Sequence, residues 1–114
     1  MKQDEAFVRH ILDEINFLID KSKDLEYEGL TKDEILKRAF VRSLEVIGEA
    51  TKNISSEFRE KHPDIEWREL TGLRDKLIYR YFGVKWELVW DVAKSKVPQL
   101  KGKIEAILKE TERG

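Results

Sequence analysis

The chain has no cysteine among its 114 residues, which excludes disulfides, thiolate metal sites and cysteine nucleophiles together. Histidine is nearly as scarce. His10 and His62 are the only two, far apart and in unrelated settings, so no histidine metal site is expected and carboxylate-only magnesium binding is the metal chemistry left open. No apolar run approaches the roughly 18 residues of a membrane helix. The start, Met1-Lys2-Gln3-Asp4-Glu5, is too acidic for a signal peptide, so the expectation is a cytoplasmic protein with no membrane partner. An excess of charge of one sign is missing as well. At a formal net charge of -1 no global field draws in nucleic acid, and any contact with RNA or DNA must use a local patch. Repeats, low-complexity tracts and linkers are absent, leaving one domain over residues 1–114 that can bury about two thirds of its unfolded surface.

What is abundant is charge: 39% of residues, against about 25% in an ordinary domain. Lys and Glu dominate and there is a single Met, the lean of a heat-adapted protein. Phe7, Val8, Ile11, Leu12, Ile15, Leu18 and Ile19 recur at steps of three and four, predicting an amphipathic helix of about six turns that fades before Gly29. Thr31 and Glu34 have the spacing of a capping box, with Leu30 and Ile35 placed as a hydrophobic staple. A second stripe then runs through Ile35, Leu36, Ala39, Phe40, Leu44, Ile47, Ala50 and Ile54, and the short connection lets it pack antiparallel on the first. Gly48 within it is read as a point of close approach, and Glu49 as a solvated or ion-paired carboxylate.

Ser55 or Ser56 can cap a short helix that His62-Pro63 must end. Ile65, Trp67 and Leu70 are candidate buried anchors. Gly83 breaks or bends the chain, Val84 to Val92 opens another helix, and Pro98 suits the first turn of a last one carrying Leu100, Ile104, Ile107 and Leu108. Glu87 and Asp91 form an acidic i, i+4 pair read as a solvated face. No stretch alternates with period two for long enough to claim a strand. The fold class is all-α, an antiparallel helical bundle. Apolar residues on more than one side of several helices, notably Phe40 with Val41 and Trp86 with Trp90, point to a homodimer.

Arg74-Asp75-Lys76-Leu77-Ile78-Tyr79-Arg80-Tyr81-Phe82 is the stretch richest in chemistry. On a helix, Arg74 and Tyr81 return to within about 20° of one face, and Asp75 and Tyr79 form an i, i+4 pair. Guanidinium beside phenol suits an anionic or phosphorylated ligand. The same residues also serve at bundle surfaces and subunit interfaces.

The order of Ile47-Gly48-Glu49-Ala50, Pro63-Asp64-Ile65-Glu66-Trp67, Gly72-Leu73-Arg74-Asp75, Leu77 to Val84, Val89-Trp90 and Val97-Pro98-Gln99-Leu100 closely resembles the HepT-like family of the HEPN superfamily, from about Phe7 to Leu108. The resemblance implies an all-α bundle that dimerises, with a site in the cleft between protomers. It also implies a toxin that works as a metal-independent ribonuclease without a cofactor, paired with a minimal nucleotidyltransferase as antitoxin. The family motif is Arg-x4-His-x-Tyr. Carried over, Arg74 is its arginine, Asp75 the polar residue after it, and Tyr81 the tyrosine that the partner adenylylates, while Arg80 is a further candidate phosphate or RNA contact. Tyr79 stands where the motif has histidine. A phenol near pKa 10 is ionised about one part in a thousand at neutral pH, so Tyr79 is a poor base beside the imidazole it replaces. Three readings follow: a toxin ribonuclease with weakened or lost cleavage, an inactive nucleotide- or RNA-binding module that keeps its partner, or a purely structural helical dimer.

Overall fold

A computed structural model describes residues 2–79 and 83–113, side chains excepted at Tyr79 and Arg113. The three-and-four spacing at the start becomes helix α1, Lys2–Ser22, whose Val8, Ile11, Ile15 and Leu18 are wholly buried. After the short α2, Tyr27–Thr31, comes α3, Glu34–Lys52, which buries Phe40, Leu44 and Ile47 against α1. The expected capping box does not form. Thr31 closes α2, its hydroxyl donating to the Glu28 carbonyl at 3.2 Å. The cap of α3 is Asp33, whose Oδ1 accepts the backbone N–H groups of Ile35 and Leu36, each at 3.0 Å. A carboxylate satisfies two orphan donors and complements the helix dipole, which a threonine hydroxyl does less well. The staple fails with the box, because Leu30 is buried and Ile35 is 81% exposed.

Ser55 caps α4, Ser56–Lys61, accepting the Phe58 N–H, and His62 ends it. The start of α4 is tied to α1 by buried Asp4: Oδ1 accepts the Ser55 N–H at 2.7 Å and Oδ2 its hydroxyl at 2.9 Å. Helices α5, Trp67–Thr71, and α6, Leu73–Leu77, meet at Gly72 and cross α3. Gly48 eases that crossing, since a Cβ there would sit 3.3 Å from the Leu70 carbonyl oxygen, a tight but not forbidding approach. Ile65 and Trp67 are buried as anchors, while Leu70 is half-buried.

The helix carrying Arg74 stops at Leu77, earlier than the periodicity suggests. Ile78 is extended at φ -121, ψ 118, and Ile78–Tyr79 (β1) pairs antiparallel with Gly83–Val84 (β2), Ile78 opposite Val84 and Tyr79 opposite Gly83. β-Branched and aromatic residues favour that backbone, and Gly83 adopts the positive φ of 85 that other residues avoid. This two-residue ladder is the sole sheet among the described residues of an otherwise helical bundle. Arg80 and Tyr81, and Phe82 after them, lie outside the described residues.

Pro98 stands in the first turn of the last helix, as its position suggested, but that helix is continuous with the one before it. Helix α7, Trp86–Asp91, runs through a π-helical turn, Val92–Lys96, whose flanking residues are also helical, into α8, Val97–Arg113. Proline lacks the N–H that would bond to the carbonyl of Lys94, and the wider turn just before it accommodates the interruption. Helix α8 packs on α1, with Arg9 Nη2 3.2 Å from the Glu112 carboxylate and Lys94 Nζ 2.7 Å from the Ser22 carbonyl. Part of the apolar excess is covered within the chain: Phe40 is fully buried, Lys37 lies over the Trp86 ring at 4.8 Å and Tyr27 meets Trp90 edge-on at 6.3 Å. Among the described residues no helix is long and apolar enough to cross a membrane.

Candidate functional site

Arg74 lies in α6, where the helix crosses α3. Its Nε approaches Glu45 Oε2 at 3.5 Å, and the arginine side chain is 63% exposed against 28% for Glu45. Its aliphatic stem borders a small crevice with Val41, Leu44, Leu77 and Val89. The Glu45 carboxylate lies beside the Nε edge of the guanidinium as a partly exposed ion pair, and the two Nη groups make no hydrogen bond or ion pair among the described residues. A planar fork whose Nη edge is open among those residues is suited to an incoming phosphate. Glu45 was not legible as a site residue in the sequence, because nothing in its spacing distinguishes it from the other glutamates of α3. Only the crossing of α6 over α3 brings it to Arg74.

Asp75 follows Arg74 on α6, and successive helical residues point about 100° apart. Its exposed side chain lines an open groove with Lys52, Arg59, Glu60 and Arg68, separate from the crevice that Arg74 borders. The expected i, i+4 face shared by Asp75 and Tyr79 does not exist, because Tyr79 is in the extended β1. Helical geometry likewise does not carry from Arg74 to Tyr81. The structure therefore places Arg74, Asp75 and the Tyr79 backbone within one helix-to-strand junction, while Arg80 and Tyr81, at positions flanked by the paired strands, are outside the described residues.

A second concavity, of about 190 Å³, opens on another side of α6. Leu70, Val97 and Leu100 are among its apolar lining, with Glu66 and Glu69 near Lys76, Lys96 and Lys103. Glu66 and Glu69 share a hydrogen bond, which together with their mutual repulsion raises the Glu66 carboxyl above its ordinary value, while the same hydrogen bond lowers Glu69. No group of three or more potential metal ligands occurs among the described residues. Glu49 is exposed and pairs with Lys52 at 3.6 Å, and Glu87 and Asp91 are both exposed.

These features define an all-α domain presenting an exposed arginine at the edge of its bundle. Comparison with known proteins makes the class specific. The family described as Ribonuclease HepT-like matches residues 11–107, and the chain belongs to that family. A presumed RNase of Caldanaerobacter subterraneus subsp. tengcongensis is 47% identical over 108 residues, covering 95% of this chain and 96% of that protein. A presumed RNase of Methanocaldococcus jannaschii is 45% identical over 108 residues, covering 95% and 89%. A probable ribonuclease HepT of Thermococcus cleftensis is 39% identical over 103 residues, covering 90% and 94%. No solved structure matches the chain at a significant level.

Proposed function

We propose that this protein is the toxin subunit of a toxin-antitoxin pair, a metal-independent RNA-cleaving domain that works in the cytoplasm as a homodimer, with cleavage attenuated by Tyr79. Family membership supports the ribonuclease class. The observation that carries the site assignment is Arg74, beside Glu45 at Nε and with no other hydrogen bond or ion pair among the described residues. Cleavage of a phosphodiester by the neighbouring 2′-hydroxyl needs a group to take that proton, an acid for the departing 5′-oxygen, and donors for the charge that builds on the phosphorus oxygens. Arg74 supplies the donors. Tyr79 has the hydroxyl of a proton donor or phosphate-orienting group, Asp75 is the polar group that assists catalysis beside Arg74, and Arg80 assists in binding phosphate. Tyr81 is the position at which a minimal nucleotidyltransferase partner would attach an adenylyl group and silence the toxin.

Labelled single-stranded RNA incubated with purified protein tests the enzyme reading. Cleavage that disappears in Arg74→Ala and increases in Tyr79→His is expected, and an Arg74→Ala variant as active as the wild type would refute the assignment. The substitution of tyrosine for the motif histidine favours one competing reading, an RNA- or nucleotide-binding module without cleavage. That reading gives RNA binding lost in Arg74→Ala with no cleavage by the wild type. Sedimentation checks the dimer, and intact mass after coexpression with the partner checks adenylylation of Tyr81.

A further inference from the structure

The groove beside Asp75 has a composition that the cleavage chemistry does not require. Its walls take one cation from each of three helices: Lys52 from the end of α3, Arg59 from α4 and Arg68 from α5. Two carboxylates, Glu60 and Asp75, stand with them, so cations outnumber acids locally in a chain whose formal net charge is -1. Arg59 is fixed in place: its Nη2 donates to the carbonyl of fully buried Thr51 at 2.6 Å. Its Nε is sealed from solvent with no acceptor among the described residues. Capping α3 accounts for Arg59, but not for the other two cations. Among the described residues Lys52 meets only the exposed Glu49, at 3.6 Å, a pairing of the kind that an incoming anion readily displaces. Arg68 is exposed and makes no ion pair among the described residues.

We propose that this groove is a binding subsite for the phosphodiester backbone of single-stranded RNA, delivering the strand to Arg74. The proposal rests on the ribonuclease reading above and extends it to where the substrate lies. Two geometric facts connect groove and site. Asp75, in the groove, is the chain neighbour of Arg74 on α6. Glu45, which pairs with Arg74, and Lys52, which walls the groove, are seven residues apart on α3, hence on nearly the same face and about 10 Å apart along it. A strand lying along that face meets the groove cations and Arg74 in succession. Recognition through backbone charge carries no sequence preference, so the groove supplies affinity and register while selection among RNAs falls to other contacts.

The test is fluorescence anisotropy with a labelled single-stranded RNA oligonucleotide whose 2′-hydroxyls are methylated against cleavage, titrated across a salt series. Relative to the wild type, Lys52→Gln combined with Arg68→Gln is expected to weaken binding several-fold and to flatten the slope of log affinity against log salt by about 1.4, at about 0.7 per neutralised phosphate contact. Both side chains are exposed, and an unchanged melting midpoint establishes that the fold is intact. A second double variant, Lys23→Gln with Lys32→Gln, removes the same charge near the opposite end of α3 and is expected to leave the slope as it was. If both double variants reduce affinity and slope equally, the effect is one of net charge and the groove is refuted. If the groove variant binds like the wild type while the wild type still cleaves RNA through Arg74, the subsite falls and the ribonuclease reading survives. A wild type that neither binds nor cleaves RNA overturns both.

Discussion

Replacing Asp4 by alanine should destabilise the bundle more than any other single change to a charged side chain described above. Both carboxylate oxygens are engaged, at 2.7 Å by the Ser55 N–H and at 2.9 Å by the Ser55 hydroxyl, and Asp4 is only 6% exposed. Hydrogen bonds to a charged group contribute about 1.5–3 kcal/mol each. Alanine recovers about half a kcal/mol of helix propensity, and water reaching the vacated site replaces part of the rest. A net loss of about 3 kcal/mol follows, which for a domain of this size corresponds to a fall of about 10–15 °C in melting midpoint. Asp4→Asn keeps one acceptor but turns an amide N–H toward the other donor, so its loss should be about half as large. Thermal unfolding followed by circular dichroism reads both. A midpoint for Asp4→Ala within about 2 °C of the wild type would refute the argument, because it would mean that water serves Ser55 as well as the carboxylate does.

Other expectations are as direct. Arg74→Ala should abolish RNA cleavage yet cost no more than about 1 kcal/mol of stability, since its ion pair is largely exposed; a large drop in midpoint would mark Arg74 as structural instead. Gly48→Ala should be close to neutral, about 1 kcal/mol of helix propensity set against a 3.3 Å approach to the Leu70 carbonyl. Gly48→Val should lose about 1–3 kcal/mol by overpacking and weaken RNA binding by displacing α5 and α6, and equal midpoints for the two variants would contradict this. Glu66 has a raised carboxyl pKa, so the folded state holds its proton longer and stability declines as pH rises through the window above the ordinary value of 4.5. Glu69 is lowered, and its contribution is lost as pH falls through the window below 4.5. Glu66→Gln should therefore gain on the wild type at pH 7 relative to pH 4.5, and urea titrations at the two pH values that showed no differential gain would count against the pair.

The periodic stripes of α1, α3 and α8 were legible because burial on one side of a helix imposes a spacing that no other demand mimics. The ends of elements were less so. Thr31 and Asp33 both suit a cap, and the choice between them rests on where α2 stops, which is a matter of tertiary packing. The strand at Ile78–Tyr79 was hidden because two residues are too few for an alternation, and its partner residues, Gly83 and Val84, read equally well as a helix break. The π turn before Pro98 is a distortion of hydrogen bonding and leaves no mark on the apolar spacing. At the candidate site, Arg74 and Asp75 could be singled out from their motif. Glu45 and the groove cations Lys52, Arg59 and Arg68 could not, because they converge from separate helices.

The clasp between the first and last helices has a consequence for the order in which the protein becomes competent. Lys94 reaches back to Ser22 and Arg9 meets Glu112, so α1 obtains one of its two flanks only from residues made after the rest of the bundle. The hairpin of α1 and α3 can collapse early, being local in sequence, but its exposed side waits for α8. The helix bearing Arg74 and the strand pair beyond it sit between these two events in the chain. A ribonuclease assembled in this order would stay unfinished until α8 docks, and a chain lacking α8 should be unfolded and without activity.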